Sequence, residues 1–336
     1  MEVVSGLGVD FGTSTTVLCH TRRGIVWQES TLLALPSNDS RRRIRPVAVG
    51  NAAAELLERT PEGLVGVRPI EHSVVADLDS ATTFLRCALR GAGAARPGPL
   101  KTRSVFAVPA GATPLERRAL LEVAGKAGFG QVALVPSAVA AAIGCGIDPL
   151  DATAHMVVDV GSGTAEVTIF CQTGLVAHRS SRVAGEETTL ALQAYLRERH
   201  HLTVSREMAE QLKIEASRES GPSILARGLD SATGRPSLVT LAVEEVTEAV
   251  RPLTEALLQI LASCMQDLPA RVVSDVMEEG ILAVGGGSLM AAFDKLLESF
   301  FGFGVRPAER PLTCVAEGAS RCLQMPEISA AYGLRV

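Results

Sequence analysis

Two short stretches of the chain place an acid, glycines and small hydroxyl residues in the same order. In "VDFGTSTT", Asp10 precedes Gly12, Thr13 and Ser14; in "VVDVGSGTAEV", Asp159 precedes Gly161, Ser162, Gly163 and Thr164. Glycine lets backbone N–H groups approach a ligand closely and hydroxyls add donors, a set suited to a phosphate chain. Two carboxylates beside such a chain suit Mg2+, which keeps several waters and is held through one or two acids. Asp10 and Asp159 are therefore candidate metal holders, and the six glycines and hydroxyl residues between them, with Thr164, candidate phosphate contacts. A third segment, "GILAVGGGSLM", sets Gly285, Gly286, Gly287 and Ser288 between an apolar strand and a helix. There backbone can approach a flat base or sugar with a helix N-terminus behind it. Glu210 and Lys213 share one helix face and fit either a ribose contact or an ordinary surface ion pair.

Such residues need elements to hold them. Each Asp-x-Gly turn is flanked by apolar strands, read as Val3–Val9 and Thr15–His20 around Asp10, with a third strand over Gly24–Leu33. "DSATTFLRCALRGA" reads as a helix capped by Asp79 or Ser80, and "TPLERRALLEVAGKAG" as one with Thr113 as cap, Pro114 at its first position and Gly128 after its end. "SVFAVPA" and "QVALVP" read as strands and "SAVAAAIGCG" as a very apolar helix, so the fold class is α/β. The plan then restarts. Strands flank Asp159, Gly174–Val183 follows, helices cover "EETTLALQAYLRERHH" and "SREMAEQLKIEAS", two strands meet at "SATGR", and a helix spans Val243–Gln266. Asp10 and Asp159 lie 149 residues apart, so the repeat has the size of a domain. Two like domains face each other across a cleft, the usual place for a ligand. The last residues, "MPEISAAYGLRV", read as a loosely held tail.

The bulk properties agree. A chain of 336 residues that is 47% hydrophobic supports two cores. Its net charge of −5 argues against a nucleic-acid partner. Seven scattered cysteines without a Cys-x-x-Cys pair read as free thiols of a reducing cytosol. No signal segment and no long apolar run points to secretion or a membrane span. Arg41–Arg45 reads as a solvated hairpin tip, with a lateral contact or anionic lipid as the lesser alternative. "GAGAARPGPLKT" reads as a flexible loop. His200 and His201 end a helix, where cations suit its dipole, and are not read as ligands.

With these residues in view, the chain resembles the superfamily of actins, heat-shock chaperones and sugar kinases, and within it the MreB-type bacterial actins. "VDFGTSTT" and "VVDVGSGTAEV" look like the two phosphate hairpins; "VGNAAAELLERTPEGLVGVRPIEHSVVADLD", "VPAGATPLERRAL", "AAAIGCGI", "RVAGEE", "AEQLKIE", "GILAVGGGSLM" and "PLTCVAEG" match MreB-type segments in order. The resemblance implies an actin-like fold of two α/β domains around a nucleotide cleft. The first spans 1–147 with an inserted subdomain at about 34–70, the second 148–325 with one at about 186–243, and 326–336 is the tail. It also implies ATP or ADP with Mg2+ in the cleft, and head-to-tail filaments of the chain itself. Such filaments lie in the cytoplasm, guiding cell-wall synthesis proteins at the inner face of the cell membrane and so cell shape.

Three departures stand out. MreB-type proteins carry Glu-Pro before the "AAAIG" helix, and that Glu positions the attacking water. Here Ser137 and Ala138 occupy those places. A serine orients water but does not take its proton at neutral pH, so the catalytic set of Ser137, Asp159 and Thr164 is degenerate and a slow ATPase at most is expected. Glu186 is the remaining acid, and the resemblance gives it no catalytic role. Neither an N-terminal amphipathic helix nor an apolar membrane loop is evident. "SFFGFG" concentrates Phe300, Phe301 and Phe303, either beneath a loop or as an exposed patch. Two other functions stay open: a nucleotide-dependent adaptor that does not polymerise, and a small-molecule kinase of the same superfamily.

Overall fold

A computed structural model of the chain describes residues 5–37, 44–59, 63–95, 102–172, 174–218, 221–266, 268–290 and 293–334. The apolar run ending at Asp10 forms β1 (Gly6–Phe11) and pairs antiparallel with β2 (Thr15–His20), which sets Asp10 opposite Val17. β3 (Gly24–Ser30) completes a meander. The chain then leaves this sheet. β4 (Leu33–Pro36), β5 (Ala48–Val49), α1 (Asn51–Arg59) and β6 (Leu64–Val67) build a small layer, followed by a hairpin of β7 (Ile70–Glu71) and β8 (Val74–Val75). α2 (Leu78–Gly91) leads back, and β9 (Arg103–Val108), α3 (Pro114–Ala127) and β10 (Val132–Pro136) add two strands parallel to β1. The sheet order is β10–β9–β1–β2–β3.

After α4 (Ser137–Gly144) the same plan recurs. β11 (His155–Val160), β12 (Ala165–Cys171) and β13 (Gly174–Ser181) form a second meander. α5 (Gly185–His200), β14 (Leu202–Thr203), α6 (Arg206–Ser217), β15 (Ser223–Asp230) and β16 (Pro236–Ala242) make a second outlying layer. α7 (Val243–Cys264) and α8 (Ala270–Glu279) return to the sheet, where β17 (Ile281–Val284), α9 (Phe293–Phe301) and β18 (Val305–Pro307) add two strands parallel to β11. The order β13–β12–β11–β17–β18 is the first sheet's order read from its opposite edge. The repeat seen in sequence is thus a repeat of topology.

α4 and α10 (Cys314–Cys322) lie between the two sheets. One core cluster takes Val105 and Val135 from the first sheet, Val157 and Leu282 from the second, and the alanines of α4 with Val315 and Ala319 of α10. The helices touch backbone to backbone: a Cβ on Gly318 would lie 1.7 Å from the Ala140 carbonyl oxygen, so only glycine fits.

Several boundaries differ from the sequence reading, each for a local reason. The first strand starts at Gly6, and its expected first residues Val3 and Val4 lie outside the described residues. The strand expected over Gly24–Leu33 divides at Thr31, whose N–H donates to Ser14 O at 2.8 Å and whose hydroxyl donates to Gly12 O at 2.8 Å, bending the chain into another sheet. α2 is capped by Asp77, which accepts from Ser80 N at 2.7 Å, rather than by Asp79 or Ser80. Thr113, Pro114 and Gly128 bound α3 as expected, with a reciprocal Thr113–Glu116 cap. α8 was not expected from the sequence. The C-terminal tail is not loose: α11 (Pro326–Tyr332) buries Ile328 and Tyr332, and the Tyr332 hydroxyl donates to Pro149 O and Cys171 O. Phe301 and Phe303 pack against the second sheet's core, while Phe300 stands 46% exposed. None of the seven cysteines forms a disulfide. Arg41–Arg43 of the basic run and residues 96–101 of the flexible loop lie outside the described residues. Among the described residues, no helix is long and apolar enough to cross a membrane.

Candidate functional site

The β1–β2 and β11–β12 turns meet tip to tip over the floor of a cavity of about 840 Å³, a size ordinary for a ligand pocket. Each turn closes on itself: Gly12 N–H donates to Thr15 O at 3.2 Å, and Gly161 N–H to Thr164 O at 2.9 Å. The next N–H groups, of Thr13 and Ser14 in one turn and Ser162 and Gly163 in the other, donate to no acceptor among the described residues. Ser14 Oγ donates to Ser162 Oγ at 2.6 Å, joining the tips across the cleft. A Cβ on Gly163 would lie 2.2 Å from Thr13 Oγ1, so this glycine permits the close approach of the two turns. The structure therefore brings together Gly12, Thr13, Ser14, Gly161, Ser162, Gly163 and Thr164 along one wall of the cavity.

Asp10 and Asp159 point into the same cavity from the two sheets. Each keeps a strip of surface open to the cleft but is ringed by protein. Burial, and then the charge of Asp159, push the Asp10 carboxyl up to about 7. Burial raises Asp159 to about 6. Two acids held this way in mutual repulsion favour a cation between them. Among the described residues no group of three or more His, Cys, Asp or Glu is arranged to hold a metal. The donor set is thus two carboxylates, which fits Mg2+ completed by phosphate oxygens and water and not a metal caged by protein alone.

The glycine turn sits directly behind Asp159. Gly285 has φ 81°, and a Cβ there would lie 2.6 Å from Asp159 Oδ1; one on Gly287 would lie 2.2 Å from Val160 Cγ1. Gly286 has free space beside it, with Leu312 Cδ2 as its nearest neighbour at 3.5 Å. Ser288 Oγ donates to Gly285 O at 2.7 Å and is occupied inside the turn. The helix expected behind the glycines is a single 3-10 turn, Gly286–Leu289, because Met290 is extended; α9 begins only at Phe293. Glu210 and Lys213 line the cavity on α6. Lys213 Nζ donates to Glu210 Oε2 at 2.8 Å, to Gly185 O at 2.8 Å and to Thr189 Oγ1 at 2.7 Å, which ties α6 to α5. Ser137 opens α4 and faces the cavity. Glu186 is not available as a base: Arg206 Nη1 donates to Glu186 Oε1 at 2.5 Å. Burial pushes Glu186 up, but that bond and charge outweigh it and hold the carboxyl below its usual range.

Two parts of the site escaped the sequence reading. The β7–β8 turn enters the cleft with His72 and Ser73 at positive φ, 47° and 61°. His72 Nδ1–H donates to Gly163 O at 3.1 Å, Ser73 N–H donates to Thr13 Oγ1 at 3.0 Å, and the Ser73 and Thr164 hydroxyls share a hydrogen bond at 2.8 Å. This turn fastens both acidic hairpins, yet "EHSV" lacks the glycine or asparagine that signals such a turn. The second is Glu166, on β12 directly across from Asp159 and 4% exposed. Its Oε1 accepts from Ala110 N–H at 2.9 Å and from Thr168 Oγ1 at 2.9 Å. Burial, with Asp159 adding to it and these two bonds opposing, raises its carboxyl to about 7.

Twin sheets of one topology, inserted layers and paired acidic hairpins over a shared cleft define an actin-like nucleotide-cleft protein. The family model described as MreB/Mbl protein matches residues 4–330, and the chain belongs to that family. It is 33% identical over 326 residues to the cell shape-determining protein MreB of Escherichia coli (strain K12), covering 95% of this chain and 93% of that one. The structure of MreB5 of Spiroplasma citri bound to ADP superposes with a TM-score of 0.88 at 25% identity, covering 97% of this chain and 98% of that chain. The MamK double helical filament superposes with a TM-score of 0.77 at 22% identity, over 95% of this chain and 98% of that one.

Proposed function

We propose that the protein is an ATP-binding bacterial actin that assembles head to tail into filaments and takes part in organising cell shape, with weakened hydrolysis. The observation that carries the reading is the pair of hairpins presenting Asp10 and Asp159 from two sheets into one cavity. It is supported by the ADP named for the Spiroplasma relative, the filament named for MamK and the role named for the Escherichia coli protein. In this reading the two units are 1–147 and 148–325, with 326–336 as the C-terminal tail. Its setting is the cytoplasm, at the inner face of the cell membrane. Its partners are further copies of itself and membrane-associated cell-wall synthesis proteins.

The free N–H groups of Thr13, Ser14, Ser162 and Gly163 bind phosphate oxygens, with the hydroxyls of Thr13, Ser14 and Thr164 beside them. Ser14 and Ser162 exchange their mutual bond for bonds to phosphate, so the nucleotide takes the place of a direct contact between the two sheets' turns. Asp10 and Asp159 hold Mg2+, which neutralises phosphate charge when bound. Gly286 gives the base its open backbone face, and Glu210 and Lys213 stand where ribose hydroxyls lie. Ser137 orients water but holds no proton.

Calorimetry with Mg2+-ATP tests the assignment. Asp10→Ala and Asp159→Ala should each remove most of the magnesium-dependent affinity and leave a folded protein. Unchanged affinity in both variants would sink it.

A further inference from the structure

We propose that Glu166 is the proton acceptor for the slow hydrolysis of the bound nucleoside triphosphate, acting where Ser137 has no group to do so. This rests on the reading of the cleft as an ATP site.

The repeat itself marks the residue. Val17 is the residue opposite Asp10, and Glu166 the residue opposite Asp159. Both positions are buried, at 1% and 4% exposure. The first copy shows that an apolar side chain fills this place in the hairpin. A carboxylate there costs desolvation that packing does not require. Glu166 also lines the cavity that holds both hairpin tips. Its Oε1 is fixed by Ala110 N–H, just past the end of β9. Pro136 pairs with Val108 at that same strand end, and Ser137 follows Pro136 into the cavity. Ser137 and Glu166 therefore flank one stretch, 108–110, from the two sheets. Oε2 of Glu166 has no partner among the described residues.

The other acids of the cavity are committed. Asp10 and Asp159 form the cation pair. Glu186 is held by Arg206, Glu210 by Thr189 and Lys213, and Glu116 accepts from Thr113 N–H at the α3 cap. Glu58 and Glu207 stand in the two outlying layers, on α1 and α6. In the step, the water oxygen bonds to the γ-phosphorus as the bond to the β–γ bridging oxygen breaks. Its electron pair leaves with the nucleoside diphosphate, and one water proton passes to Glu166 Oε2. From there the proton passes to released phosphate or solvent.

The test is phosphate release under single turnover, beside calorimetry with Mg2+ and a non-hydrolysable ATP analogue. Five chains are compared: wild type, Glu166→Gln, Glu166→Val, Ser137→Glu, and the double variant of Glu166→Gln with Ser137→Glu. Glutamine keeps an oxygen for Ala110 N–H but takes no proton. Glu166→Gln should lose about 10²–10⁴-fold in rate, down to the protein-free background, with analogue affinity unchanged. Ser137→Glu should exceed wild type, and the double variant should recover most of that gain, because the restored acid supplies the missing acceptor. Glu166→Val copies the first hairpin and guards against a folding defect in the amide variant. Loss of hydrolysis in the valine but not the glutamine variant would make Glu166 a latch for Ala110 and overturn the proposal. So would a glutamine variant at the wild-type rate, or a wild type that binds the analogue and releases no phosphate. A wild type that binds no analogue would instead bring down the reading of the cleft beneath it.

Discussion

At the scale of single residues, the cleft is a place where three carboxyls are held against their own chemistry. Asp10, Asp159 and Glu166 keep their protons to about 7, 6 and 7 respectively, burial being the first cause in each. In an unfolded chain such groups lose the proton near pH 4. Between these values the unfolded state binds fewer protons than the folded one, so stability falls as pH rises from about 4 to about 7 and levels off above. The ligand-free protein should therefore melt at a lower temperature at pH 7.5 than at pH 5. Asp10→Asn should flatten part of that slope and raise the melting temperature at pH 7.5, an effect on the order of a few kcal/mol at most. The same variant should lose the stabilisation that Mg2+-ATP gives the wild type. A melting temperature that climbs from pH 5 to 7.5, or an asparagine variant that is no more stable at pH 7.5, would show that the buried acids are compensated by groups not identified among the described residues. Magnesium favours the ionised pair, so its binding near pH 6.5 should release protons, visible as a binding heat that changes with the ionisation heat of the buffer.

At the scale of elements, what was legible in the sequence was what backbone chemistry forces into a fixed residue type. The two hairpins, the cap and end of α3, and the glycine turn behind Asp159 depend on particular side chains or on having none, and each left a local signal. What was not legible depends on neighbours far along the chain. "AEVTIF" gives no hint that both its faces are covered, so Glu166 looks like an ordinary strand acid until β13 and the 108–110 stretch enclose it. The His72–Ser73 turn carries positive φ without glycine because contacts to Gly163, Thr13 and Thr164 hold it there. The tail docks through two buried side chains spaced too sparsely to show a pattern. Of the closest element contact, α4 on α10, only α4 was legible, as a very apolar helix. It carries its own prediction. Gly318→Ala would set a Cβ 1.7 Å from Ala140 O, so the helices must separate and the core between the sheets must open. Overpacking of this kind typically costs about 1–3 kcal/mol. The expected result is a lower melting temperature together with weaker nucleotide binding, since the two hairpins are held in register through this core. A variant that is destabilised yet binds Mg2+-ATP as tightly as wild type would separate the interhelical core from the cleft.

At the scale of the whole molecule, the cleft joins two similar sheets through two hairpins, a short turn and a pair of central helices, and the Ser14–Ser162 contact between the hairpin tips is one a nucleotide can replace. In the proposed function, a triphosphate bridging Thr13 and Ser14 to Ser162 and Gly163 fixes one arrangement of the sheets, and that arrangement is the one that polymerises. Binding, not hydrolysis, then drives assembly, because a ligand stabilises the state it binds in proportion to its differential affinity. In the proposed function, with Ser137 in place of an acid, cleavage of that bridge is slow. Filaments should therefore form to the same extent with Mg2+-ATP and with a non-hydrolysable analogue, and should persist after free ATP is removed. Ser137→Glu should leave assembly intact but shorten filament life, since the bridging γ-phosphate is lost sooner. Light scattering and sedimentation follow both quantities, and electron microscopy identifies the filaments. Scattering that rises with ATP and stays flat with the analogue would mean that assembly needs the cleavage step. Equal lifetimes for wild type and Ser137→Glu, despite faster phosphate release in the variant, would mean that the γ-phosphate does not hold the sheets in the polymerising arrangement. No sedimentation with either nucleotide, in a protein that binds both, would favour the adaptor that responds to nucleotide without polymerising.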